Sequence, residues 1–164
     1  MLKIRPARTT DVCAITAVAA PLVEKRILLG KELVELYESI QEFVVAEEHG
    51  EILGFGALHV MWEDLAEVRT LAVREDVKGK GVGKKILTEL MKRAEDLGVH
   101  RVFCLTFEVE FFESQGFHVI SDIPVDAETY AEMVRSNDEG VAEFLDLARV
   151  KQNTLGNSRM LRTI

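Results

Sequence analysis

Between Val77 and Lys85 the chain reads V-K-G-K-G-V-G-K-K, with glycine at Gly79, Gly81 and Gly83 and lysine at Lys78, Lys80, Lys84 and Lys85. Glycines let an anion come close to the backbone, and the lysines add positive charge. If a helix starts here, its first N–H groups lack intrahelical acceptors and its dipole favours a negative ligand. This is the chemistry of a pyrophosphate cradle. Two common phosphate loops do not fit. A P-loop, G-x-x-x-x-G-K-[ST], would need glycine in place of Lys78 and Ser or Thr in place of Lys85. A G-x-G-x-x-G fingerprint starting at Gly79 would need glycine in place of Lys84.

The flanking segments suit a cradle. Glu67–Val73, E-V-R-T-L-A-V, reads as a strand. Val82, Ile86, Leu87, Leu90, Met91, Ala94 and Leu97 share one helical stripe, and Gly98 follows as a stop signal. Upstream, Leu2–Pro6 reads as a strand, and Thr9-Thr10-Asp11 starts a helix that runs to about Leu22. A second helix is predicted over Lys31–Ile40, then a hairpin of Phe43–Glu47 and Ile52–Met61 about His49-Gly50. Downstream, Arg101–Thr106 reads as a strand, Val109–Gln115 as a short helix and Phe117–Ile120 as a strand. A helical segment over Ala127–Arg135 follows Pro124, and Val141–Val150 and Arg159–Ile164 read as strands.

A chain of 164 residues suits one domain over 1–164. Apolar residues make up 48% but form no long run, so no membrane span is expected. The opening M-L-K-I-R-P-A-R lacks the apolar centre of a signal peptide. Net charge is −8, with cations concentrated at one loop, which argues against general nucleic-acid binding. Cys13 and Cys104 are expected as buried thiols in a reducing compartment. His49, His59, His100 and His118 have no ligand-like spacing, so no metal is expected.

Lys78 to Gly83 resembles the acetyl-CoA loop of the GNAT (Gcn5-related) acetyltransferases, Q/R-x-x-G-x-G/A, with Lys78 in place of Gln or Arg. The order of elements resembles theirs as well. The resemblance implies the GNAT fold, an α/β (α+β) architecture with a mixed seven-strand sheet and helices on both faces. Further segments narrow the likeness: Arg26–Glu38, Gly56–Val60, Glu67–Val73, Val102–Phe117 and Val141–Leu161. They resemble amino-acid N-acetyltransferases of the N-acetylglutamate synthase type, in the short actinobacterial form without an amino-acid-kinase domain. This implies transfer of acetyl from acetyl-CoA to the α-amino group of L-glutamate, with L-glutamine as a further acceptor. That is the first step of arginine biosynthesis, in the cytoplasm and without a metal; a homodimer is left open.

The resemblance also assigns roles. An amino acid is mostly an ammonium ion at neutral pH, so attack needs a base. Glu67 matches the family glutamate given that role, with Glu63 and Asp64 as rivals nearby. The segment Leu71, Ala72 and Val73 is expected to take the pantetheine arm as an added strand. Lys78, Gly79, Lys80, Gly81, Val82, Gly83 and Lys84 are expected to hold the pyrophosphate. Many GNAT enzymes protonate the leaving sulfur with Tyr in F-Y-E-x-x-G-F; here F-F-E-S-Q-G-F puts Phe112 at that place. Thr106 and Ser114 are the substitute hydroxyls, and Glu108 stands where some related synthases have Ser. Acceptor carboxylates call for cations: Lys25, Arg26 and Lys31 around I-L-L-G, and Arg159 on the last strand. Longer synthases carry Arg at the positions of Gly30 and Gly156, so carboxylate recognition is expected to differ. Two other readings remain: an acetyltransferase for a protein N-terminus or polyamine, and a non-catalytic acetyl-CoA sensor. The missing Tyr permits the sensor, whereas Glu67 and the intact loop argue against it.

Overall fold

The computed structural model describes residues 1–28, 30–150 and 156–164. Leu29 and residues 151–155, which belong to two of the resembling segments, lie outside the described residues. In chain order the elements are β1 (Lys3–Pro6), α1 (Val12–Glu24), α2 (Leu33–Glu38), β2 (Phe43–Glu48), β3 (Glu51–Trp62), β4 (Leu65–Val73) and α3 (Val82–Asp96). Then come β5 (Arg101–Thr106), α4 (Val109–Ser114), β6 (His118–Val119), α5 (Ala127–Met133), α6 (Glu139–Phe144) and β7 (Ser158–Thr163). The strands form one seven-stranded sheet in the order β1-β2-β3-β4-β5-β7-β6. The sheet is mixed, because β4 and β5 run parallel while β1/β2, β2/β3, β5/β7 and β6/β7 are antiparallel. A parallel pair needs a crossover, and α3 supplies it.

Contacts divide the chain into two compact units, Met1–Leu58 with Thr70–Arg93, and His59–Arg69 with Ala94–Ile164. In the first, Val12, Ile15, Val18 and Leu22 make a buried stripe on α1 that packs with Phe43, Val45, Phe55 and Ala57 of the β2–β3 hairpin. The hairpin turns at His49 and Gly50, both with positive φ (53° and 79°). Alternate positions of β3 face the other way and carry no side chain. A Cβ on Gly54 would lie 2.8 Å from the Ala72 carbonyl and 3.0 Å from Ile86; one on Gly56 would lie 3.0 Å from both Ile86 and Leu90. Glycine at these two places lets α3 lie close on that face, with α1 on the opposite one.

Three expectations for α1 and α3 are corrected. Cys13 is exposed rather than buried, because it falls off the Val12/Ile15/Val18/Leu22 stripe. Leu97, assigned to the α3 stripe, lies beyond the helix end and is exposed. The N-cap expected from Thr9-Thr10-Asp11 does not form, because Asp11 precedes α1 but its side chain makes no cap hydrogen bond to it. Its carboxylate instead accepts from the Arg8 backbone N–H at 2.7 Å and from Arg5 Nη1 and Nη2 at 2.8 and 3.0 Å.

The second unit is built on Leu65, Phe103, Phe144, Leu145 and Leu161, with Phe103 and Phe144 edge to face at 5.2 Å. The strand expected over Val141–Val150 is instead α6 and a 3-10 turn at Ala148–Val150. Asp138 decides this, because its side chain accepts the Val141 N–H at 3.0 Å and caps the helix. Val141, Phe144 and Leu145 then fall at i, i+3 and i+4 and share the core.

Candidate active site

The loop read as a cradle leads into the N-terminus of α3, and two of its three glycines take a conformation that requires glycine. Gly79 and Gly81 have φ of 80° and 82° and open space where a side chain would be, so conformation is what requires glycine there. Gly83 is the second residue of α3 and has no positive φ among the described residues. The Lys85 N–H bonds the Gly81 carbonyl at 3.2 Å and closes the first helical turn. The N–H groups of Val82, Gly83 and Lys84 come before that first intrahelical donor and have no acceptor within the helix. Val82 is buried and anchors the turn, while Lys78, Lys80 and Lys84 are exposed. Lys78 pairs with Glu75 at 3.2 Å.

Strand β4 leads into this loop and opens along one edge. It pairs with β5 from Leu65↔Arg101 to Glu67↔Phe103, and no pair follows among the described residues, although both strands continue. Thr70 sits at φ 55°, a strained conformation for a β-branched residue, of a kind that collects at functional sites. Ala72 is buried in the core of the first unit, whereas Leu71 and Val73 are half-exposed.

Glu67 stands where the β4–β5 pairing ends and is 3% exposed. Its Oε1 accepts from Arg69 Nε at 2.9 Å and lies 2.6 Å from Arg69 Nη2. Arg69 also forks onto Asp138, Nη1 to Oδ1 at 2.9 Å and Nη2 to Oδ2 at 2.8 Å. His59 Nε2 on β3 lies 3.8 Å from Asp138 Oδ2. Gly140 on α6 faces this group so closely that a methyl there would overlap Glu67 Oε1 and come within 2.5 Å of Arg69 Nη2. One helical turn on, Glu143 is 7% exposed.

Burial pushes Glu67 above the ordinary carboxylate range; Arg69 opposes this and Asp138 adds to it. Asp138 is also partly buried, but the Arg69 hydrogen bonds outweigh that and hold it at about 2. Glu143 is lifted to about 8 by burial and then by the charge of Glu67, so it is neutral at pH 7. Burial, with the Glu67 charge behind it, keeps the Cys104 thiol well above its usual value. Arg69, Asp138, Gly140 and Glu143 were not singled out by the sequence reading. The available signals were Arg69 two residues along the strand from Glu67, and Asp138 as a helix-starting residue before an apolar run.

Thr106 lies at the end of β5, and its Oγ1 accepts the Glu108 N–H at 2.8 Å. Phe112 is buried edge to face with Phe111 and Phe117 at 5.1 and 5.2 Å. The Ser114 hydroxyl donates to the Phe111 carbonyl. Lys25, Arg26 and Lys31 belong to the turn after α1. Arg26, exposed and at φ 60°, occupies the left-handed position of a Schellman motif: its N–H bonds the Val23 carbonyl at 3.0 Å, and the Ile27 N–H bonds the Leu22 carbonyl at 2.8 Å. Arg159 is more occupied than expected. Its Nη1 donates to the Asp122 carbonyl at 3.0 Å, its Nη2 to the Phe144 carbonyl, and its guanidinium lies over Phe103 at 5.7 Å. Its Nε and the Asn157 Oδ1 are buried without a hydrogen-bond partner among the described residues.

Residues 20–118 match the acetyltransferase (GNAT) family, and the chain belongs to that family. Its relatives narrow the class. An amino-acid acetyltransferase of Mycobacterium tuberculosis is 54% identical over 161 residues, 96% of this chain and 92% of that protein. The crystal structure of Rv2747 from Mycobacterium tuberculosis in complex with CoA has a TM-score of 0.93 at 52% identity, over 99% of both chains. N-acetylglutamate synthase from Neisseria gonorrhoeae, complexed with coenzyme A and N-acetyl-glutamate, has a TM-score of 0.80 at 25% identity, over 99% of this chain and 35% of that one. Among the described residues no helix is long and apolar enough to cross a membrane, and no group of three or more His, Cys, Asp or Glu is placed to hold a metal ion.

Two outcomes follow from this geometry. Gly81→Val must adopt a φ that L side chains avoid, so CoA affinity measured by calorimetry should fall at least about tenfold while the melting curve stays cooperative. Unchanged affinity would remove the cradle assignment. Glu143 holds its proton more tightly when folded (about 8) than at its ordinary value of 4.5, so its contribution to stability is present below 4.5 and is lost as pH rises toward 8. Glu143→Gln should therefore resist urea better than wild type at pH 8, with the gap closing by about pH 5. A gap that does not vary with pH would mean that Glu143 titrates normally.

Proposed function

We infer that the protein is an amino-acid N-acetyltransferase acting in the cytoplasm. It moves the acetyl group of acetyl-CoA to the α-amino nitrogen of L-glutamate, and also accepts L-glutamine, as the first step of arginine biosynthesis. The carrying observation is strand β4. It holds a buried, raised carboxylate where its pairing with β5 ends, continues with an open edge, and runs into a glycine cradle at a helix N-terminus.

On this reading the pyrophosphate rests against the N–H groups from Gly79 to Lys84, with Lys80 and Lys84 nearby. The pantetheine arm adds along Leu71–Val73 as an extra strand, and backbone N–H groups past Glu67 polarise the thioester carbonyl. Glu67 removes a proton from the acceptor ammonium, directly or through a water. The freed nitrogen forms a bond to the carbonyl carbon, the C–S bond breaks, and the nitrogen's second proton passes through water or the Thr106 hydroxyl to the coenzyme A thiolate that departs. Phe112 contributes only packing.

Arg26 and Lys31, with Lys25 beside them, are proposed for the acceptor's carboxylates. Arg159 keeps one free donor, Nε, and Asn157 one free acceptor, Oδ1.

CoA release measured with free amino acids, an N-terminal peptide and a polyamine tests the reading. Release confined to amino acids is expected; tight acetyl-CoA binding with no release would favour a sensor. Glu67→Gln should lower kcat by about tenfold to a hundredfold with acetyl-CoA affinity kept, and a wild-type rate and pH profile would make Glu67 structural. Arg26→Ala should raise the KM for glutamate by about tenfold, equivalent to about 1.4 kcal/mol, without moving that for acetyl-CoA. If neither Arg26→Ala nor Lys31→Ala alters the acceptor KM, these cations lie outside the pocket.

A further inference from the structure

We propose that Asp138 and Arg69 act as a clamp that selects the proton-accepting atom of Glu67, holding Oε1 and leaving Oε2 as the base. This rests on the reading of Glu67 as the base. Both contacts that Arg69 makes to Glu67 end on Oε1, at 2.9 and 2.6 Å, and Oε2 has no hydrogen-bond partner among the described residues. Arg69 cannot swing freely, because Asp138 takes its Nη1 and Nη2 with two oxygens at 2.9 and 2.8 Å. Asp138 is fixed in turn by capping α6 through the Val141 N–H at 3.0 Å. Gly140 completes the slot, since a methyl there would strike Oε1 and Arg69 Nη2. Rotating the carboxylate out of its plane would break the Arg69 hydrogen bond, whereas a half-turn only exchanges two equivalent oxygens, so the clamp sets the direction in which the base points.

Arg69 and Asp138 are positioning residues. Among the described residues, the charged and titratable groups around Glu67 are Arg69 on its own strand, His59 on β3, Cys104 on β5, Asp138 at the cap of α6 and Glu143 on that helix. Asp138 raises the Glu67 pKa and Arg69 lowers it, so their removal should have opposite effects.

The test uses Asp138→Asn, which keeps an oxygen to cap α6 but loses the charge and the second acceptor. Turnover should fall by about tenfold or more, with the KM for acetyl-CoA unchanged. The acid limb of the kcat profile should move to lower pH in Asp138→Asn and to higher pH in Arg69→Gln. In a Glu67→Gln background, Asp138→Asn should cost no more than about twofold, because the group that it positions is already gone. Wild-type turnover in Asp138→Asn, an undiminished loss in the Glu67→Gln background, or limbs that move the same way would each overturn the clamp. If Asp138→Asn is silent while Glu67→Gln is impaired, the clamp alone fails. If Glu67→Gln itself turns over like wild type, the base assignment fails and the clamp falls with it.

Discussion

A carboxylate taken out of water needs a charge partner, and that partner carries its own burial cost. Glu67 is in this position, and the second unit is arranged around the consequence. Arg69 follows at the strand period, so both side chains leave the same face of β4. Its guanidinium has more donors than one carboxylate can use, and Asp138 accepts from two of its nitrogens. Asp138 must then stand at the head of a helix, and that helix must carry glycine where it meets Oε1. One buried negative charge thus dictates the neighbouring strand residue, a helix cap and a glycine more than seventy positions away.

The same strand answers a second constraint, which is access to the backbone. In a complete sheet β4 would spend its N–H and C=O groups on both neighbours. Here the pairing with β5 stops at Glu67↔Phe103, and the left-handed Thr70 breaks the regular path soon after. Interrupted pairing and a strained residue weaken a sheet, and the core around Leu65 and Phe103 supplies the packing that offsets it. The cradle repeats the principle in a loop, where Gly79 and Gly81 take positive φ and leave helix N–H groups without internal acceptors.

What could be read from the sequence was local. The positive-φ Gly79 and Gly81, the α3 stripe from Val82 to Ala94 and the hairpin about His49-Gly50 depend on residues a few positions apart, and these are present in the fold. The clamp was not legible, because Arg69 and Asp138 meet across 69 positions and no sequence spacing links the two. Val141–Val150 was read as a strand because a short apolar run has no decisive period; the cap at Asp138 is what makes it helical. Arg159 was expected to meet an acceptor carboxylate, yet two backbone carbonyls already occupy its terminal nitrogens. Tertiary contacts, unlike stripes and turns, leave no regular spacing to find.

Strand β7 pairs with β5 on one side and β6 on the other, although it is made after both. On the ribosome, β5 and β6 are therefore synthesised before the strand that separates them exists. Until Ser158–Thr163 arrives, that side of β5 is an unpaired edge beside an incomplete apolar core, the kind of surface that recruits chaperones or neighbouring chains. The second unit is thus closed by a late insertion, and the order of synthesis leaves a period of exposure in every round of its folding.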